Sequence, residues 1–131
     1  MKKLFLLFAL SITFCGLYAQ TRITAYNAIE HIGKTVTIYG KVFDGKWAGP
    51  SATTTLYVDG YRPNEKLLVI IPLADRDNFS EHPESDYNGK TVVIRGTLRL
   101  RNHIPEIVVS DRRGLQVVTK GGITDVKQHV E

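Results

Sequence analysis

Residues 33–42 read Gly-Lys-Thr-Val-Thr-Ile-Tyr-Gly-Lys-Val, and residues 89–98 read Gly-Lys-Thr-Val-Val-Ile-Arg-Gly-Thr-Leu. Six of the ten positions are identical at an offset of 56 residues. In the first stretch Val36, Ile38 and Val42 alternate with Thr35, Thr37, Tyr39 and Lys41. In the second, Val92, Ile94, Leu98 and Leu100 alternate with Thr91, Arg95, Thr97, Arg99 and Arg101. A period of two with one apolar set predicts a strand whose sheet buries one face. Gly40 and Gly96 fall on the inward register, where a missing side chain permits a bulge, a sharp coil or the close approach of another backbone. Two long strands that curl are therefore expected. The Gly-Lys-Thr triplets are not phosphate loops, because that motif needs another glycine five residues earlier. Ala28 and Glu84 stand at those positions.

Working outward, Thr54 to Val58 reads as a strand with Leu56 and Val58 facing in. Leu67 to Ile71 is an uninterrupted apolar run, which predicts a central strand covered on both faces. Asp59-Gly60 and Arg62-Pro63-Asn64 mark the turns between them. Ala74 to Tyr87 is rich in charge, contains Pro83 and reads as a loop with a short helical turn near Asp75 to Phe79. A fifth strand is expected at Glu106 to Val109, after a turn at Asn102-His103. Ahead of the first strand, Thr24 is placed to cap a short helix whose Ala25, Ala28, Ile29 and Ile32 share a face, with Gly33 as its left-handed terminator. Residues 119–131 carry two glycines and little apolar content and read as a flexible tail.

The chain has 131 residues, room for one domain. Its 43% hydrophobic and 23% charged residues place it among folded proteins, away from chains too polar to collapse. Met1-Lys2-Lys3 followed by the apolar run Leu4 to Phe14 predicts a secretory signal peptide over residues 1–19, cut after Ala19. That run is shorter than the roughly 20 residues needed to cross a bilayer. The mature chain is expected to be exported, periplasmic or secreted, without membrane insertion, and to hold its domain in residues 20–118. Lipoprotein processing at Cys15 is disfavoured by the bulky Phe14 before it. Loss of Lys2 and Lys3 with the leader brings the net charge of +4 down by two, so bulk charge does not by itself argue for nucleic acid. Cys15 is the only cysteine, which removes disulfides, thiolate metal sites and cysteine catalysis from the mature chain.

Five short strands, two of them long and glycine-kinked, with a helical connection between the third and fourth, define an all-β fold of the five-stranded OB type, a small Greek-key barrel. The stretch Ile23 to Val118 resembles the small exported bacterial OB-fold proteins of the nucleic-acid-binding, tRNA-anticodon-domain-like type. The matching points are Ala28 to Gly33 leading into Gly-Lys-x-Val-x-x-x-Gly-Lys-Val, Thr55-Leu56 leading to Arg62-Pro63-Asn64, Asp75-Arg76-x-x-Phe79, Gly89-Lys90-x-Val, and Pro105-Glu106-Ile107-Val108-Val109. Arg101 and His103 depart from it, where such sequences often carry Tyr and Gly. The resemblance implies a binding module for nucleic acid, working beside an extracellular nuclease. Fold by itself does not fix function.

OB-folds bind ligands on the face of their second and third strands and on two flanking loops. The first loop, Asp44 to Ser51, is glycine-rich and sets Trp47, the only tryptophan, beside Lys46. The second presents Arg99, Arg101 and His103 at alternating positions, which point the same way as long as the strand continues. Lys41, Tyr39 and Tyr57 extend the outward cationic and aromatic set. Charge that tracks phosphates, with rings that stack bases at about 1–3 kcal/mol each, is what single-stranded nucleic acid requires. Structural roles compete: Trp47 as a lid on the barrel, the tyrosines packed under the amino-terminal helix, and alternating arginines as guards against edge pairing.

No metal or cofactor is expected. His31, His82, His103 and His129 lack the spacing of a zinc site, and Glu81, Glu84 and Asp86 lack the ligand ladder of a calcium loop. Asp75-Arg76-Asp77 is the one candidate for a cation-dependent hydrolase, but it reads more simply as part of the helical turn before Phe79. Without a nucleophile and base pair the chain is expected not to be an enzyme. The leading reading is a module for single-stranded DNA, RNA or another polyanion. The alternative is a module for a protein, peptide or oligosaccharide partner.

Overall fold

The structure, a computed structural model, describes residues 21–49, 52–119 and 122–124. The predicted leader lies outside the described residues. The two echoed segments pair with each other. Strand β2 (Thr35–Trp47) runs antiparallel to β5 (Thr91–Thr97), with Ile38 opposite Ile94, Val36 opposite Gly96 and Gly40 opposite Val92. The flanking hydrogen bonds repeat in the same sense. Gly33 N donates to Leu98 O at 2.8 Å and Gly89 N donates to Val42 O at 2.8 Å. Leu98 N donates to Lys34 O at 3.0 Å and Val42 N to Lys90 O at 2.9 Å. Exchanging the two segments maps each bond onto its mate, so the sequence echo is a local two-fold axis. Gly33 and Gly89 enter their strands with φ of 86° and 75°, in the left-handed region that favours glycine.

Around this pair lie β1 (Thr21–Thr24), β3 (Thr54–Val58), β4 (Leu67–Ile71), β6 (Arg99–Arg101), β7 (Ile104–Val108), β8 (Leu115–Thr119) and β9 (Gly122–Thr124). Neighbours in the sheet follow the order β6-β7-β4-β3-β2-β5-β8-β9, with β1 parallel to β2 and β4 parallel to β7. No ladder joins the ends of that order among the described residues, but Leu98 alone separates β5 from β6. One chain segment thus pairs with β2 through its first part and with β7 through its second, wrapping the sheet around a single core. Strands β2, β3, β4, β5 and β7, with helical segments between β4 and β5, form the all-β OB-like fold.

Val36, Ile38, Leu56, Leu67, Ile71, Phe79, Tyr87, Ile94 and Ile107 are fully buried in the core. The inward glycines are required there. A Cβ on Gly40 would lie 2.5 Å from Val58 Cγ1, and one on Gly96 would lie 2.6 Å from Ile107 Cγ2. Among the described residues no helix is long and apolar enough to cross a membrane.

Several expectations are corrected. The segment Ala25–His31 is a 3-10 helix, whose period of three buries Ala25 and Ala28 and leaves Ile29 and Ile32 exposed. Thr24 precedes it without a side-chain capping bond. Leu100, expected inside, is 48% exposed, because β6 runs on past the end of the barrel core as half of a hairpin. The stretch Asp44 to Trp47 is not loop but the end of β2, which shifts register at Phe43 and continues against β3. The expected loop from Ala74 to Tyr87 contains two helical segments, a 3-10 helix at Leu73–Asn78 and α1 at Pro83–Asp86, with Pro83 at the start of α1. Two strands were not expected after the fifth: β8 pairs with β5, and β9 pairs with β8 inside the stretch assigned to a flexible tail.

Candidate functional site

Register places the outward side chains in rows. Directly opposed residues on neighbouring strands project to the same face. Tyr57 on β3 lies between Asp44 on β2 and Leu68 on β4, and Leu68 is opposite Glu106 on β7, which is opposite Arg99 on β6. The next row runs Lys46, Thr55, Ile70, Val108. A third pairs Ile104 with Arg101. Tyr57, Leu68 and Glu106 of the first row, Thr55 and Ile70 of the second and the Ile104–Arg101 pair, with Arg62, Pro63 and Glu65 of the β3–β4 turn, line a cleft of about 410 Å³ on the outer face of β3, β4 and β7. This is the face that OB barrels present to ligands.

Four of the residues singled out from sequence, Lys46, Tyr57, Arg99 and Arg101, are on this face. Lys46 and Arg101 are exposed, and Tyr57 forms part of the wall while only 7% exposed. Arg99 is not free: its Nε is ion-paired with Glu106 Oε1. Glu106 is wholly buried, and its Oε2 has no hydrogen-bond partner among the described residues.

The other four lie elsewhere. Asn102 and His103 have φ of 49° and 67° between Arg101 and Ile104, the two left-handed residues of a tight hairpin. The strand stops at Arg101, so His103 leaves the alternation and sits exposed at the turn. Tyr39 is half-buried on the part of β2 held between Thr24 of β1 and Val93 of β5. Lys41 lines a separate recess of about 330 Å³ with Phe43, Tyr61 and Asn88. There Phe43 and Tyr61 meet edge to face at 5.2 Å, and Lys41 Nζ sits 5.8 Å from the Phe43 ring centroid. This aromatic pair was missed from sequence, and the one available signal was Tyr61 next to the Asp59-Gly60 turn.

Trp47 belongs to the barrel end. Its indole N–H donates to Ala52 O at 3.2 Å, and the Arg76 guanidinium stacks 3.7 Å from the ring centroid. Arg76, only 7% exposed, also donates to Thr54 Oγ1 at 2.6 Å and to Glu81 O at 3.2 Å, and pairs with Glu84 at 2.8 Å. One face of the indole is therefore covered by a cation of the protein itself. The arginine of the Asp75-Arg76-Asp77 triplet is committed to this stack and not to solvent. Gly45 is what lets α1 approach: a Cβ there would collide with the Glu84 carbonyl.

Among the described residues no group of three or more His, Cys, Asp or Glu is arranged to hold a metal ion. Outside the cleft lining, at the turn after β7, hydrogen bonds from Arg113 hold the Asp111 carboxyl below its ordinary range.

No family model matches the chain, and no curated protein matches it. Solved structures do. A protein from Leishmania major Friedlin described as an aspartyl-tRNA synthetase superposes with a TM-score of 0.51 at 15% identity over 81% of this chain. The chain spans 22% of that protein's length, and at this identity the likeness establishes the fold.

Proposed function

We propose that the chain is an exported, non-catalytic OB-fold module that binds single-stranded nucleic acid or a similar polyanion across the outer face of β3, β4 and β7. The observation that carries this reading is the register itself. It sets Arg101 in the wall of a cleft that also includes Tyr57, and places Lys46, 55 residues away in sequence, opposite Thr55 of the same lining. Arg62 supplies a third exposed cation at the rim. The Phe43–Tyr61 pair with Lys41 lies on the other side of the β3–β4 turn, a stacking platform for a strand that leaves the cleft. The likeness to a tRNA synthetase is in keeping with this reading, and the sequence of residues 1–19, which reads as a secretory leader, supports export.

A salt-titrated binding assay of residues 20–131 with short single-stranded DNA and RNA tests the reading. The logarithm of affinity should fall with the logarithm of salt, with a slope of about 0.7 per neutralised phosphate. An oligosaccharide ligand is the second reading, favoured by the carboxylates of Glu65 and Glu106 in the cleft, which accept hydrogen bonds from sugar hydroxyls. It predicts affinity nearly independent of salt. No binding of oligonucleotides even at low salt, where attraction is strongest, would overturn the nucleic-acid reading.

A further inference from the structure

A polyanion site has no use for carboxylates facing the phosphates, yet this cleft holds two. Glu106 lies in its floor with a side chain 1% exposed. One oxygen is paired with Arg99 and the other, Oε2, is buried with no hydrogen-bond partner among the described residues. Glu65 lines the same cleft, and its Oε2 is likewise buried and unpartnered among the described residues. Leaving a buried acceptor unsatisfied is destabilising, so two in one cleft mark a place built to receive N–H donors. Apart from Arg99, the cations are not paired with them: Arg101 lines the cleft and Lys46 lies opposite the lining residue Thr55, and both are exposed. Phosphates go to the margins and something rich in donors goes to the floor.

Resting on the nucleic-acid reading above, we propose that Glu106, assisted by Glu65, is a specificity-determining group that reads the Watson–Crick edge of guanine. Guanine is the base that presents two adjacent donors on that edge, N1–H and the N2 amine. Cytosine and adenine offer one amine beside a ring nitrogen whose lone pair repels a carboxylate. Thymine and uracil place their single N–H between two carbonyl oxygens. With Oε1 held by Arg99, Glu106 keeps a fixed orientation, and its buried Oε2 is the acceptor left for a base that opens the floor of the cleft.

The test is fluorescence anisotropy of residues 20–131 with short single-stranded oligodeoxynucleotides of identical length. One carries guanine, one carries hypoxanthine in its place and so lacks the N2 amine, and the others are homopolymers of dA, dC and dT. Guanine should bind roughly tenfold or more tightly than the others, and the hypoxanthine oligomer should fall below guanine. Glu106→Gln turns an acceptor into an amide and should abolish the guanine preference, while a thermal melt confirms the fold. Glu65→Gln, at a half-buried position on the turn, should narrow the guanine-over-hypoxanthine ratio, and it provides the test where Glu106→Gln does not fold. Equal binding of all bases, or a guanine preference unchanged in a folded Glu106→Gln and in Glu65→Gln, overturns this inference and leaves the function standing. Absence of binding to every oligomer overturns the function on which it rests.

Discussion

The two echoed segments begin alike and end differently. From Gly33 to Val42 and from Gly89 to Leu98 they are interchangeable: the same left-handed glycine entry, the same hydrogen bonds, the same inward glycine. Beyond that point β2 shifts register at Phe43, runs on to Trp47 and closes one end of the barrel under Arg76. Its counterpart passes through Leu98 into the β6–β7 hairpin, which carries Arg99 and Arg101 on the outer face of β7. The repeated part builds the frame, and the divergent continuations build the barrel end at Trp47 and the wall of the cleft at Arg101. Arg101, which lines the cleft, and Lys46, opposite the lining residue Thr55, both come from the divergent continuations.

The largest effect expected from breaking this arrangement is at Gly45, where the continuation of β2 meets the α1 backbone. A backbone carbonyl cannot rotate aside, so Gly45→Val should cost more than about 4 kcal/mol, the range reserved for severe core disruption, and chemical denaturation should find little or no folded protein. Within the repeated part the obstacles to a side chain are the ends of Val58 and Ile107, which yield more readily. Gly40→Val and Gly96→Val should each cost about 1–3 kcal/mol and, if the two-fold frame holds, by similar amounts. A melting temperature raised by either variant would break the equivalence.

Trp47→Ala sharpens the contrast between closure and binding. It removes the stack on Arg76 and should lower stability by about 2 kcal/mol or more, leaving the salt slope of any oligonucleotide binding unchanged. Arg101→Gln and Lys46→Gln should do the reverse. Each should leave the melt nearly unmoved and flatten the salt slope by about 0.7. The smallest effect belongs to the exposed Thr35–Thr97 hydroxyl contact at 2.9 Å at the rim of the pair. Thr97→Val should shift stability by no more than about 0.5 kcal/mol, measured by urea midpoint.

The frame was legible in the sequence because alternation and an inward glycine are local signals. Leu67 to Ile71 was found with its bounds intact, since an apolar run between turn residues has few other readings. What was not legible depends on events away from the residues concerned. Asp44 to Trp47 looks like a loop by composition, but β3 pairs with it and α1 needs its glycine. Ile29 and Ile32 were placed inside by a period of 3.6, which the 3-10 helix does not follow. On the candidate site, Arg99 and Arg101 were found through their alternation and Tyr57 through its outward place on a strand. Glu106 was hidden in an apolar strand and Glu65 in a turn: cross-strand register puts Glu106 opposite Arg99, and the path of the β3–β4 turn puts Glu65 in the same cleft as Glu106 and Arg101.

The proposed function places ligand on the outer face of β3, β4 and β7. Amide chemical-shift mapping of residues 20–131 titrated with a short single-stranded oligonucleotide at low salt tests it most directly. Shifts should concentrate at residues 53–57, 62–70 and 101–106, with Lys46 affected and the 3-10 helix Ala25–His31 undisturbed. Shifts centred on that helix or on β8 and β9, with the cleft residues unmoved, would contradict it.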